Sequence, residues 1–172
     1  MPLSRLIRKI LLATANSFLL VGVVSASPIG DVVESTGVGT LLRETTDLVE
    51  AKVGEEIQLN DTAQTAKGRM LIKFLDEAEL SLIEHTKVYI DKGYYDPDPS
   101  KSKMVMKMAL GTARFASGRL GMVPKQNIDI TTPTAQIAVR GTDFTTTIDE
   151  LGRSLVILLP DEFGEPSGEI VV

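Results

Sequence analysis

The sequence contains no cysteine, no tryptophan and a single histidine, His85. Without cysteine, the fold has no disulfide, no thiolate zinc site and no cysteine nucleophile. One histidine gives a catalytic zinc ion too few imidazole ligands, and no G-x-S-x-G nucleophile elbow accompanies it to make a serine hydrolase. We therefore predict a chain that is not an enzyme and has no catalytic, metal-binding or cofactor-binding residues.

Basic residues are in the minority, with 18 lysines and arginines against 23 aspartates and glutamates. They are scattered along the chain, and tryptophan is missing as a stacking platform, so we predict no binding to nucleic acid. Three of the basic residues and none of the acidic ones fall in the first 26 positions. The rest of the chain is therefore acidic, which also disfavours an anionic membrane surface.

Few other residues suggest chemistry. Asp96 and Asp98 flank a proline, but they lack the glycine and distal glutamate of a dedicated calcium loop, which favours a solvated turn. Met104, Met106 and Met108 alternate with other residues, a pattern more typical of the core face of a strand than of metal ligation. A pair of glycosidase carboxylates stays open, because any two acids can meet in a fold, and nothing in the sequence selects a pair.

Residues 1–26 have the composition of a secretory signal peptide. A start with three basic residues precedes an apolar run of about 15 residues, and small residues end the segment at Ala26. An uncleaved membrane anchor is the alternative, but the run is shorter than the ~20 residues that a membrane span requires. We predict cleavage before Ser27, one domain over residues 27–172, no stable membrane span after cleavage, and a periplasmic or secreted protein.

Beyond the signal peptide, apolar residues recur with a period of two in short runs separated by turn residues. We predict a hairpin or a bulged pair of strands that is split at Ser35-Thr36-Gly37, and a turn into a new strand at Lys67-Gly68. Residues 44–54 are mostly polar and predict a loop. Short, evenly spaced strands with no long helical period predict an all-β sandwich, barrel or short solenoid.

Residues 128–148 form the most informative stretch. Its apolar alternation is interrupted at Pro133 and again at Gly141, which predicts three short strands meeting at two corners. The second corner, Arg140-Gly141-Thr142-Asp143, places a cation and an anion three positions apart beside a residue that tolerates positive φ. We refer to it as the 140–143 corner. We expect Arg140 and Asp143 to form a structural ion pair, and keep recognition of a partner as the alternative.

Residues 132–144, TPTAQIAVRGTDF, resemble the signature of the FecR domain. Residues 111–118, GTARFASG, and the segments 53–61 and 65–74 are similar to earlier parts of that domain. The resemblance covers most of residues 29–159. It implies a jelly-roll-like sandwich or a short β-solenoid that serves as a non-catalytic binding or sensing module. It also implies a protein partner in the cell envelope.

In the best-known members of that family, a cytoplasmic helical segment and a membrane helix precede the β domain and act on a sigma factor. Here the predicted signal peptide takes the place of that segment, so we expect only the envelope binding role to apply. The alternative is a structural or surface scaffold, such as an adhesin, a cell-wall component or a particle component. An open strand within residues 168–172 would suit that role.

Overall fold

The computed structural model describes residues 27–94, 96, 98–122, 127–161 and 163–172. The predicted signal peptide at residues 1–26 lies outside this range. The strands of the described part are β1 (Gly30–Leu42), β2 (Leu48–Glu50), β3 (Glu56–Ile57), β4 (Thr62–Phe74), β5 (Glu79–Leu82), β6 (Lys87–Tyr94), β7 (Lys103–Ala116), β8 (Ile128–Thr131), β9 (Gln136–Arg140), β10 (Asp143–Ile148), β11 (Ser154–Leu158) and β12 (Glu169–Val171).

Helical structure in the described part is limited to two short 3-10 turns, Pro99–Lys101 and Arg119–Met122. Within the described residues, no helix has the length and apolar character needed to cross a membrane. The predicted all-β class is therefore confirmed.

Three long strands, β1, β4 and β7, bend sharply at glycines. Gly37, Gly68 and Gly111 all have positive φ, a conformation that only glycine adopts at little cost. Gly37 and Gly68 are also paired across β1 and β4. A Cβ atom on Gly68 would lie 1.9 Å from the carbonyl oxygen of Thr36, so the close approach of these two backbones excludes any side chain.

The bends change which residues face the core. In β7, the buried residues before the bend have even numbers, and those after it have odd numbers: Met104, Met106 and Met108, then Ala113 and Phe115. Because side chains alternate strictly along a strand, such a change of phase requires a local irregularity. β1 and β4 change phase at their bends in the same way. Each long strand therefore contributes one core face to each of two parts of the sheet.

The strands consequently form two half-sheets. The first contains β5, β10 and β11 with residues 30–36 of β1, 68–74 of β4 and 111–116 of β7. The second contains β2, β6, β8, β9 and β12 with the other ends of the same three long strands. β3 pairs with the start of β1.

The two half-sheets enclose one hydrophobic core. Phe115 and Phe144 of the first half-sheet, with ring centroids 5.9 Å apart, line the same small apolar space as Met106, Met108 and Ile130 of the second. Among the strand pairs of the described residues, only β7 with β8 is parallel. This arrangement favours the sandwich over a parallel solenoid. Core packing of the alternating methionines is confirmed.

The sequence-based boundaries need two corrections. The predicted breaks at Ser35-Thr36-Gly37 and Lys67-Gly68 are wrong, because each glycine bends a continuous strand instead of ending it. The predicted loop over residues 44–54 contains the short strand β2. The three strands predicted around Pro133 and Gly141 are confirmed as β8, β9 and β10.

Candidate functional site

An open cleft of about 590 Å³ lies beside the 140–143 corner, and we call it the corner cleft. It is formed where the end of β7, the start of β10, the loop after β11 and the segment before β12 meet. Its lining residues are Arg114, Ala116, Ser117, Gly118, Met122, Gly141, Thr142, Asp143, Pro160, Asp161 and Ser167. Three of the four residues predicted as a structural or recognition corner therefore lie in the wall of one cleft.

The corner carries the chain from one half-sheet to the other. β9 belongs to the second half-sheet and ends at Arg140, and β10 belongs to the first and begins at Asp143. Gly141 makes the crossing at φ 55°, a left-handed conformation that a β-branched or bulky residue adopts only with strain. The next segment passes very close, since a Cβ atom on Gly168 would lie 1.9 Å from the carbonyl oxygen of Gly141.

The Ser167 side chain holds the corner in place. The Asp143 N–H donates to Ser167 Oγ over 3.0 Å, and this hydroxyl donates to the carbonyl oxygen of Leu159 over 2.7 Å. Leu159 N–H in turn donates to the Asp143 carbonyl oxygen over 2.8 Å. A serine hydroxyl thus completes the last rung between β10 and the end of β11.

Thr142 connects the corner to its other neighbours. Its Oγ1 lies 3.0 Å from Ser167 Oγ, and its carbonyl oxygen accepts a hydrogen bond from the Ser117 N–H over 3.0 Å. Thr142 is buried, so these bonds satisfy polar groups that are removed from water. The cleft wall is therefore held by backbone and hydroxyl groups from three separate segments.

Asp143 makes its ion pair with Arg114. Arg114 Nε donates to Asp143 Oδ1 over 2.9 Å, and Nη2 contacts the other carboxylate oxygen, Oδ2. The hydrogen bond with Asp143 raises the pKa of Arg114, and burial opposes this shift. The guanidinium and carboxylate planes meet in the two-point geometry that makes such pairs specific. Both side chains remain accessible, at 58% and 22% exposure respectively.

The expected ion pair between Arg140 and Asp143 is wrong. Arg140 is half exposed, and its Nη1 lies 3.9 Å from Glu169 Oε2, a carboxylate that is also exposed. The crossing at Gly141 explains the error, because it places Arg140 on the second half-sheet and Asp143 on the first. Arg114 was missed because its distance from Asp143 is set by the pairing of β7 with β10. The only local signal was its place in the FecR-like segment 111–118.

A buried carboxylate, Asp76, fixes the segment after β7 that contributes Gly118 and Met122 to the cleft. Its side chain accepts hydrogen bonds from Ala78 N–H at 3.2 Å and from Leu120 N–H at 3.4 Å. Burial raises the pKa of Asp76, while these backbone hydrogen bonds act in the opposite direction. The contact with Leu120 fixes the 3-10 turn Arg119–Met122, which places the 84%-exposed Met122 side chain at the cleft.

The other residues singled out from sequence lie elsewhere. His85 occupies the turn between β5 and β6 and is not among the lining residues of the corner cleft. Asp96 and Asp98 bind their own turn, since Asp98 N–H donates to Asp96 Oδ1 over 2.8 Å. Within the described ranges, no three histidine or acidic side chains converge in a way that could hold a metal ion.

The corner cleft therefore combines one accessible ion pair, hydroxyl and backbone groups that are held by hydrogen bonds, and one exposed methionine. Ser167, its best-placed hydroxyl, is already engaged with backbone groups on both sides. This arrangement suits recognition of polar and charged groups on another molecule better than nucleophilic chemistry, which needs a free hydroxyl beside a base.

Residues 61–159, more than half of the chain, match the family model described as FecR protein. The match includes Asp76, the β7 segment with Arg114 and the whole 140–143 corner. No curated protein and no solved structure matched the chain. Members of this family are envelope-associated regulatory proteins that interact with other proteins and are not enzymes. By this match, the chain belongs to the FecR family.

Proposed function

We propose that the chain is an exported, non-catalytic binding and sensing module that acts by protein–protein contact in the cell envelope. Membership of the FecR family supports a regulatory role in envelope signalling. Export rests on the predicted signal peptide at residues 1–26, whose removal would leave residues 27–172 in the periplasm or outside the cell. The partner is an envelope protein that docks at the corner cleft.

The observation that carries this proposal is the ion pair between Arg114 and Asp143 in the wall of the cleft. An exposed pair contributes only about 0–1 kcal/mol to stability. The stability of the domain therefore does not explain why the backbone of Asp143 is held by several hydrogen bonds. Asp143 is nevertheless held through its backbone by Ser167 and Leu159. Charged groups that are preorganised at a surface select and orient a partner, which accounts for both the rigidity and the accessibility.

Site-specific photo-crosslinking tests the proposal. A photoreactive residue at position 122, which is 84% exposed and lines the cleft, should capture one envelope protein in living cells. The matched control is position 53, where Val53 is 67% exposed and does not line the cleft. Capture of the same protein from both positions, or of none from position 122, would contradict a docking site at the corner cleft.

The alternative role, a structural or surface scaffold, is favoured by the open sheet edges. β12 pairs only with β9 among the described strands, and β11 only with β10, so both can accept another chain. The two roles separate on fractionation of the envelope. Recovery with a stoichiometric partner supports sensing, whereas recovery in an insoluble assembly supports a scaffold.

A further inference from the structure

β11 is an edge strand without the usual protection. Among the described strands it pairs only with β10, and no bulge interrupts that pairing. Ser154–Leu158 contains no charged residue and no proline, although natural edge strands are commonly protected by one of these devices. Leu155 and Ile157 are 58% and 48% exposed. The strand is therefore a template on which a further strand can pair.

The free backbone groups of this edge can be assigned. Leu159 N–H donates to the Asp143 carbonyl oxygen, so the backbone groups of Leu159 point towards β10. Ile157, two positions earlier in β11, lies opposite Thr145 of β10. Hydrogen-bonding direction alternates along a strand, so the odd-numbered residues face β10. The outward-facing groups are those of Ser154, Val156 and Leu158. Pro160, the next even-numbered residue, has no N–H to offer, so the free ladder ends after Leu158.

We propose that a second copy of this chain occupies the edge, with its own β11 antiparallel and a two-fold axis at Val156. In this register Ser154 of each copy lies opposite Leu158 of the other, and Val156 lies opposite itself. Every outward-facing N–H of the strand then meets an outward-facing C=O of the other copy. Sliding the register by two residues would leave some of these groups without partners. The resulting dimer is symmetric and closed, as most homo-oligomers are.

The side chains also fit a second copy. Leu155 lies opposite Ile157 of the other copy on the outer face of the sheet. Because of the two-fold symmetry, the dimer contains two such apolar cross-strand pairs. Because the strand carries no charge, the two-fold axis brings no like charges together. At the flanks, Arg153 lies opposite Leu159 of the other copy, and Asp161, two positions further along that copy, is its diagonal neighbour. Arg153 is 76% exposed even with its contact to Asp149, so it can also reach this second carboxylate.

Sedimentation of the full chain over a range of concentrations tests for the dimer. We expect a reversible monomer–dimer equilibrium, and Ile157→Lys should raise its dissociation constant at least about tenfold, since it places a cation against leucine at two symmetric positions. Leu48→Lys is the matched control, because Leu48 is 69% exposed on β2, an edge of the other half-sheet. It should leave the equilibrium unchanged.

The register has its own test, made possible by the absence of cysteine. In the proposed dimer, positions 155 and 157 of different copies form a non-hydrogen-bonded pair with Cα atoms about 4.5 Å apart, within disulfide range. A mixture of Leu155→Cys and Ile157→Cys chains should therefore form a mixed disulfide under mild oxidation. Neither variant alone should do so, because each would need to bridge about 8 Å.

Three results would overturn the proposal: a monomer at every concentration, a dimer unaffected by Ile157→Lys, or disulfides formed as readily within each cysteine variant as in the mixture. These results do not test partner docking, because the paired strand Ser154–Leu158 contributes no residue to the corner cleft, and only Asp161, at the flank of the dimer contact, also lines it. Failure of position 122 to capture any envelope protein in an otherwise unchanged chain, with an intact dimer, would instead remove the docking proposal alone.

Discussion

Arg43→Ala is the substitution for which the structure makes the strongest energetic prediction. Arg43 follows β1, and its guanidinium contacts the carboxylate of Asp61, the first residue of the family match. The two side chains are only 12% and 1% exposed. Arg43 also donates to Glu55 Oε1 over 2.6 Å and to the Glu56 carbonyl oxygen over 2.9 Å. One cation therefore satisfies three acceptors at the end of the sandwich.

Removing this cation leaves Asp61 buried with little compensation. The carboxylate keeps the Gln58 N–H at 2.8 Å on Oδ2, whereas Oδ1 is buried with no hydrogen-bond partner among the described residues. Loss of one member of a buried ion pair costs about 3–5 kcal/mol. A domain of this size has about 5–15 kcal/mol in total, so the variant should lose a large fraction of its free energy of unfolding.

Denaturant unfolding followed by far-ultraviolet circular dichroism measures this loss, since the chain has no tryptophan to report by fluorescence. The matched control is Arg69→Ala, because Arg69 pairs with Glu34 at 3.0 Å with both side chains exposed and should cost no more than about 1 kcal/mol. Removing both Arg43 and Asp61 should cost less than the sum of the single changes. A loss for Arg43→Ala no larger than that of the control would refute the reasoning.

Three further changes test separate parts of the structure. Thr146→Val should raise the free energy of unfolding by about 1 kcal/mol, and the denaturant midpoint with it, since the Thr146 hydroxyl is buried without a partner in the described part; a lower midpoint would contradict this. Because burial raises the pKa of Asp76 above 3.8, the folded state binds its proton more tightly than the unfolded chain. Wild type should therefore gain stability relative to Asp76→Asn as the pH falls through that raised pKa towards 3.8, and melting curves at pH 7 and about pH 4 decide the sign. Arg140→Ala should cost no more than about 1 kcal/mol, because its contact with Glu169 is long and exposed; a loss of several kcal/mol would restore a structural role for Arg140.

The features that the sequence predicts correctly are local. Alternation of apolar residues on either side of Pro133 and Gly141 predicted β8, β9 and β10 because side-chain alternation needs only neighbouring residues. The bends in the long strands were mistaken for turns for the same reason. At each of these glycines the apolar residues switch between even and odd positions. That sequence pattern is the same whether the strand bends at the glycine or ends there.

The features that the sequence does not predict depend on contacts between distant segments. Arg114 and Asp143 are 29 positions apart, and only the pairing of β7 with β10 brings them together. The Ser167 hydroxyl enters the β10–β11 ladder only because the loop after β11 returns to the corner. Residue periodicity and composition do not indicate which distant segments come into contact. The sequence therefore predicted the position of the corner but not the cleft beside it.

The most direct test of the docking site is the crosslinking yield from position 122 in a chain that carries Arg114→Ala. Arg114 is more than half exposed, so the variant should melt within a few degrees of wild type. We predict that it loses most of the crosslink to the envelope partner, and that Asp143→Asn does the same. A full crosslink yield from a folded Arg114→Ala chain would contradict the claim that the corner cleft recognises the partner.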